Sequence, residues 1–156
     1  MQVATPKKGY KLVKTSFGKY EEIPEEWAIT TIQNVTELFS SGIWGDDCTD
    51  KEECYPVIRS TEINYDDGGL NLQTVARRKI SQKNHDRYLL SSGDILIVAS
   101  SGSERLIGRI ASFQKPNDEK HFFSNFLLRL RTKNMESQYM HYFLQSYRYE
   151  NFLKQM

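Results

Sequence analysis

The alternation of apolar and polar positions in LLSSGDILIVASSGSERLIGRIASF, Leu89 to Phe113, predicts a β-hairpin. An apolar strand from Ile95 to Ala99 runs into a small polar loop, Ser100 to Arg105, and a second strand returns carrying Arg109. Gly93-Asp94 sets the entering turn, and Gly102 lets the loop backbone bend. Upstream, Ile32, Val35, Leu38 and Phe39 recur at helical spacing behind Thr30-Thr31 and predict a short helix ended by Gly42. YPVIR (Tyr55 to Arg59) reads as a strand, DDGG (66 to 69) as a turn, LNLQTV (Leu70 to Val75) as a second short strand, and SQKNHDRYLL as one or two helical turns.

Downstream, QKPNDEK has turn chemistry and HFFSNFLLRLRT reads as one strand with Phe126, Leu128 and Leu130 on a shared face. The period then changes. Tyr139, Met140, Phe143, Leu144 and Tyr147 form a stripe at helical spacing, on a helix expected to run to Met156. The first 26 residues, broken by Pro6, Gly9, Gly18 and Pro24, read as an extended arm, after which Trp27 is expected to anchor the core. The organisation expected is an arm (1–26), a folded domain (27–134) and a C-terminal helix (135–156). The fold class is α+β: a twisted, mainly antiparallel β-sheet with flanking helices and a C-terminal helix.

Composition narrows the function classes. At 156 residues the chain accommodates one substantial core. The Ile95–Ala99 run is too short to cross a bilayer and the first residues lack a signal-peptide apolar region, so no membrane association and a cytoplasmic location are expected. Cys48 and Cys54, with five residues between them, match neither a metal knuckle nor a disulfide framework; free thiols are expected, a local disulfide being the lesser alternative. A net charge of +1 gives no broad field to draw in a polyanion, which argues against a lone, non-specific nucleic-acid binder. Positive charge is local instead: Arg77, Arg78, Lys79, Lys83 and Arg87, then Arg105 and Arg109, then Arg129 and Arg131.

Read in order, GYKLVKTSFGKYEEIPEEW (Gly9 to Trp27), YPVIRSTEIN, the Leu89–Phe113 hairpin and SNFLLRLR leading into a helix resemble the specificity subunits of Type I restriction-modification enzymes. The resemblance implies a protein that does no chemistry itself and reads one half of a split DNA sequence in the major groove. Methyltransferase and restriction subunits would be its partners, and S-adenosylmethionine, ATP and Mg would sit on those partners, none on this chain. The absence of an Asn/Asp-Pro-Pro-Tyr/Phe motif agrees. A complete subunit of this family resembles two recognition domains joined by long helices, whereas this chain has one domain and the start of a helix. It is therefore a half-subunit that would dimerise, or an isolated recognition domain.

Within that frame the candidate base contacts are Arg59, Ser60, Thr61 and Asn64 on one strand end, and Ser101, Gly102, Ser103, Arg105 and Arg109 on the hairpin. Arginine offers two donors to guanine O6 and N7, Asn pairs with adenine, and short hydroxyls serve either. Arg77, Arg78, Lys79, Lys83, Arg87, Ser124 and Asn125 are candidates for the DNA backbone. Tyr139, Met140, Phe143, Leu144 and Tyr147 are candidates for a partner interface. Each group has a plainer reading as solvated turn, strand end, solvated face or core. The competing function is a protein-binding adaptor that uses the terminal helix and the Trp44 loop without DNA. His85, His121 and His141 are scattered and no HExxH or Gly-x-Ser-x-Gly occurs, so no metal site is expected and a hydrolase is disfavoured.

Overall fold

The computed structural model describes residues 5–15, 18–49, 53–64 and 66–146. The chain forms two compact units, residues 1–34 and 35–156. In the first, β1 (Tyr10–Lys14) and β2 (Tyr20–Pro24) pair as an antiparallel hairpin, with Leu12 opposite Glu22. What reads as an extended arm is thus a two-stranded ribbon. Trp27, expected in the core, is 59% exposed.

The second unit is built on a four-stranded antiparallel sheet in the order β3 (Thr36–Ser41), β9 (Leu127–Thr132), β6 (Ile95–Val98), β7 (Ile110–Ser112). The predicted hairpin is β6 and β7, with Ile95 opposite Ser112 and Ile97 opposite Ile110. All of β6 is buried because side chains of period two feed two different cores. Ile95 and Ile97 pack with Val35, Ile110, Leu130, Met140 and Leu144, whereas Leu96 and Val98 pack with Ile58, Phe113, Phe123 and Leu127. Each such burial stabilises the fold by roughly 1.5 to 3 kcal/mol relative to exposure.

The second face is closed by a three-stranded sheet, β5 (Ala76–Arg78), β4 (Tyr55–Ile58), β8 (Phe122–Phe123), in which β4 and β8 run parallel. Helix α1 (His85–Tyr88) follows a single 3-10 turn at Gln82–Asn84. Helix α2 (Ser137–Gln145) covers the first face with Met140 and Leu144. Gly68, at φ +69°, lies so close to α2 that a Cβ would collide with His141 and Gln145. The α+β class with mainly antiparallel sheets and a C-terminal helix is therefore what the chain adopts.

Several elements differ from expectation for identifiable reasons. The helix predicted through Ile32, Val35, Leu38 and Phe39 is only a 3-10 turn at Gln33–Val35, and Thr36–Ser41 is strand β3. Thr, Ser and Phe are weak helix formers, and pairing with β9 overrides the spacing. LNLQTV contributes only an isolated bridge from Leu70 to Ile63, and the strand lies at Ala76–Arg78 instead. Charged residues occupy a strand there because they have partners: Arg77 pairs with Glu119 at 2.7 Å and Arg78 with Asp47. HFFSNFLLRLRT is two strands, since Ser124 donates to Ile58 and Leu127 to Ser124, turning the chain from one sheet into the other. Cys48 and Cys54 form a disulfide, their Cα atoms 6.2 Å apart, within bridging range. The described part of α2 ends at Gln145, with Ser146 extended.

Polar struts hold the sheet. Asp94, fully buried, accepts from Arg131 Nε at 2.6 Å and Nη2 at 2.7 Å and from the Ser91 amide at 2.8 Å. Arg129, 2% exposed, donates to the carbonyls of Leu89 and Arg87 and to Ser40 Oγ. Desolvation lowers its pKa, with Asp94 acting in the opposite direction. Arg129 is therefore not surface charge, and Arg131 is half-buried and committed to Asp94.

Candidate nucleic-acid interface

At one end of the second unit, the segments after β3, after β4 and between β8 and β9 meet around an open cleft of about 460 Å³. It is lined by Trp44, Arg59, Ser60, Thr61, Asn125 and Phe126. The framework holding these residues is main-chain. Ile43 donates to the Phe123 carbonyl at 2.8 Å, Gly42 to Leu127 at 3.3 Å, and Ala99 and Ser100 to Phe126 at 2.9 and 3.3 Å. The last two bonds tie the base of the β6–β7 loop to a residue of the cleft. Gly42 is required for the close approach, since a Cβ there would overlap the carbonyl oxygens of Phe123 and Ser124.

Arg59 and Glu62 form the electrostatic centre. The chain leaves β4 in a single 3-10 turn, Ser60–Glu62, which returns Glu62 to Arg59. Glu62, 3% exposed, accepts from the Arg59 amide at 2.6 Å, from Arg59 Nε at 3.2 Å and Nη2 at 2.6 Å, and from Thr61 Oγ1 at 2.9 Å. Burial alone would raise the Glu62 pKa. The hydrogen bonds from Arg59 and Thr61 outweigh it and hold the carboxyl below its ordinary range. The same contact raises the pKa of Arg59. Trp44 is partly buried and folds back onto the cluster of Tyr55, Val57, Ile80 and Phe122, with the Arg78 guanidinium 4.7 Å from its ring centre.

Of the expected base contacts, Arg59, Ser60 and Thr61 thus share one cleft. Asn64 closes the neighbouring turn, its amide donating to Gly69 and its Oδ1 accepting from Asp66. On the β6–β7 loop, Ser101 Oγ accepts from the Ser103 amide, Gly102 faces open space, and Arg105 and Arg109 are exposed.

Of the expected backbone contacts, Asn125 is exposed at the cleft, but Ser124 is completely buried and no phosphate reaches its hydroxyl in this fold. The basic cluster is dispersed in role. Arg77 bonds the Cys54 carbonyl and Glu119, Arg78 is drawn to Asp47 and Trp44, and Lys79 bridges Asp46 through its backbone. Lys83 and Arg87 are exposed, the Arg87 guanidinium lying 5.3 Å from the Tyr88 ring centre. The expected helix stripe divides too. Met140 and Leu144 are buried in the chain's own core, Tyr139 and Phe143 are 61% and 41% exposed, and Tyr147 lies outside the described residues.

Two features of the cleft escaped the sequence reading. Phe126 was assigned to a strand's core face, although Ser124-Asn125 is turn chemistry that would have moved it to a loop. Glu62 stands three residues after Arg59, a spacing at which opposite charges meet in a helical turn. Among the described residues, no three His, Cys, Asp or Glu side chains converge to hold a metal ion. No described helix is long and apolar enough to cross a membrane.

Comparison with known proteins points the same way as the motif order. No family model matches the chain. It is similar to a type I restriction specificity subunit, the class its motifs resemble. That relative is the protein named as the MjaX specificity subunit of Methanocaldococcus jannaschii, 29% identical over 143 residues, which are 90% of this chain. The chain spans 32% of the relative's length.

Proposed function

We propose that this chain is a sequence-specific DNA-reading domain of the type I restriction specificity class. It reads one half of a two-part site and directs methyltransferase and restriction subunits to it without catalysing a reaction. S-adenosylmethionine, ATP and Mg belong to those subunits, and the assembly works in the cytoplasm. The observation that carries this reading is the similarity to a specificity subunit along 90% of the chain. The convergence of Arg59, Ser60, Thr61 and Asn125 on a cleft beside the β6–β7 loop supports it, because those side chains carry donors and acceptors of the kind that read base edges. Three or four such contacts at about 1 to 3 kcal/mol each reach the roughly 4 to 10 kcal/mol that separates specific from non-specific binding. In this reading Arg105 and Arg109 extend the reading surface, and the exposed Lys83 and Arg87 hold phosphates. Tyr139 and Phe143, exposed on α2, offer the described part of a partner surface, for a second copy of the chain or for a companion subunit.

The test is selection from a randomised duplex DNA pool by the purified chain, repeated over a range of salt. Enrichment of one sequence over competitors, with affinity that falls as salt rises, is the expected result. Binding that never prefers a sequence, or no binding at low salt, overturns the reading in favour of a protein-binding adaptor.

A further inference from the structure

We propose that Arg59 reads a guanine with the terminal edge of its guanidinium, and that Glu62 is the positioning residue that presents that edge. This inference rests on the DNA-reading function proposed above and specifies one of its contacts.

The argument begins with the guanidinium's five N–H groups, which lie in one plane. Glu62 occupies one side of that plane, taking Nε–H through Oε2 and one Nη2–H through Oε1. Among the described residues, Nη1 has no hydrogen-bond partner. What the clamp leaves is the terminal edge, with donors on Nη1 and Nη2. Two parallel donors so spaced match guanine O6 and N7, an acceptor pair that no other base presents in the major groove. Glu62 is itself fixed, because it also accepts from the Arg59 amide and from Thr61 Oγ1 and is almost entirely buried. A guanidinium immobilised beforehand loses less conformational freedom when a ligand arrives.

A phosphate also accepts two parallel donors, but the charge balance disfavours it. Phosphate binding draws on net positive charge. Among the described residues Arg59 is the one charged side chain lining the cleft, and the buried Glu62 carboxylate neutralises it. The remaining walls are Trp44, Phe126, two hydroxyls and an amide. Base-edge recognition needs donor geometry more than net charge.

The experiment takes the sequence that the native chain selects from a randomised duplex pool and replaces each guanine in turn by 7-deazaguanine, which lacks the N7 acceptor. One position is expected to weaken native binding, by at most the about 5- to 150-fold that a whole bidentate pair is worth. At that position Arg59→Met, which keeps an apolar stem and loses every donor, shows no further response to 7-deazaguanine. Glu62→Gln loses most of the native chain's discrimination at that position. If no guanine substitution matters, or Arg59→Met responds to it as the native chain does, Arg59 is not a guanine reader. If Glu62→Gln discriminates like the native chain, Glu62 does not position the contact. A native chain indifferent to 7-deazaguanine at every guanine overturns the proposal whether or not either variant folds. A native chain that selects no sequence overturns the DNA-reading function itself, a separate result.

Discussion

Removing the Asp94 carboxylate should be among the most damaging single changes to the second unit. Asp94→Ala would leave Arg131 Nε and Nη2 and the Ser91 amide without their acceptor. Breaking a buried ion pair by deleting one partner destabilises by about 3 to 5 kcal/mol. The Asp94 side chain is fully buried, but Arg131 keeps 26% of its own exposed, so water partly re-solvates the abandoned guanidinium. The lower end, about 3 kcal/mol, is therefore expected. Against a total stability of roughly 5 to 15 kcal/mol this is a large fraction, and it corresponds to a fall in Tm of about 6 to 12 °C. The assay is urea unfolding of the native chain, Asp94→Ala, Arg131→Met and the double variant, with the m-value as a check that the unfolded reference is unchanged. The double variant should lose less than the sum of the singles by at least about 1 kcal/mol, because the second deletion removes a charge already orphaned. A loss below about 1 kcal/mol for Asp94→Ala, or strict additivity, would refute the view that the pair holds β9 to the turn before β6.

Two further outcomes follow from the packing. Gly42→Ala should destabilise by about 1 to 3 kcal/mol through overlap with the carbonyls of Phe123 and Ser124, measured by urea unfolding; unaltered stability would mean that the cleft wall moves freely. Burial lowers the pKa of His141 below the usual 6.5, so the unfolded chain binds its proton first as pH falls. The stability this gives is complete above about pH 6.5 and declines as pH drops from there toward the folded pKa, so the native chain should be less stable at pH 5.5 than at 7.5 by an amount that His141→Gln reduces. Equal pH slopes for the two proteins would contradict the assignment.

How far the sequence speaks for the structure varies with the kind of signal. The β6–β7 hairpin was readable because an apolar run bounded by Gly-Asp and a Ser/Gly loop is satisfied by local interactions and burial together. β3 was not, since its identity depends on pairing with β9, some ninety positions away, and spacing alone mistook it for a helix. The arginines show the same limit. Composition counts Arg59, Arg78, Arg129 and Arg131 alike, yet Glu62, Asp47, carbonyls from the α1 region and Asp94 give each a different environment. The cleft was half visible: Arg59 to Thr61 and Asn125 stood out by chemistry, while Trp44 and Phe126 join them only once the Ser124 turn is known.

The main-chain bonding of the cleft has a consequence for how its lining can vary. Phe123, Phe126 and Leu127 brace their neighbours through carbonyl oxygens, which every amino acid possesses. The side chains of Asn125 and Phe126 are therefore replaceable fittings on a socket that does not depend on them. Under the proposed function, retuning would proceed by exchanging those fittings, with the two sheets beneath left as they are.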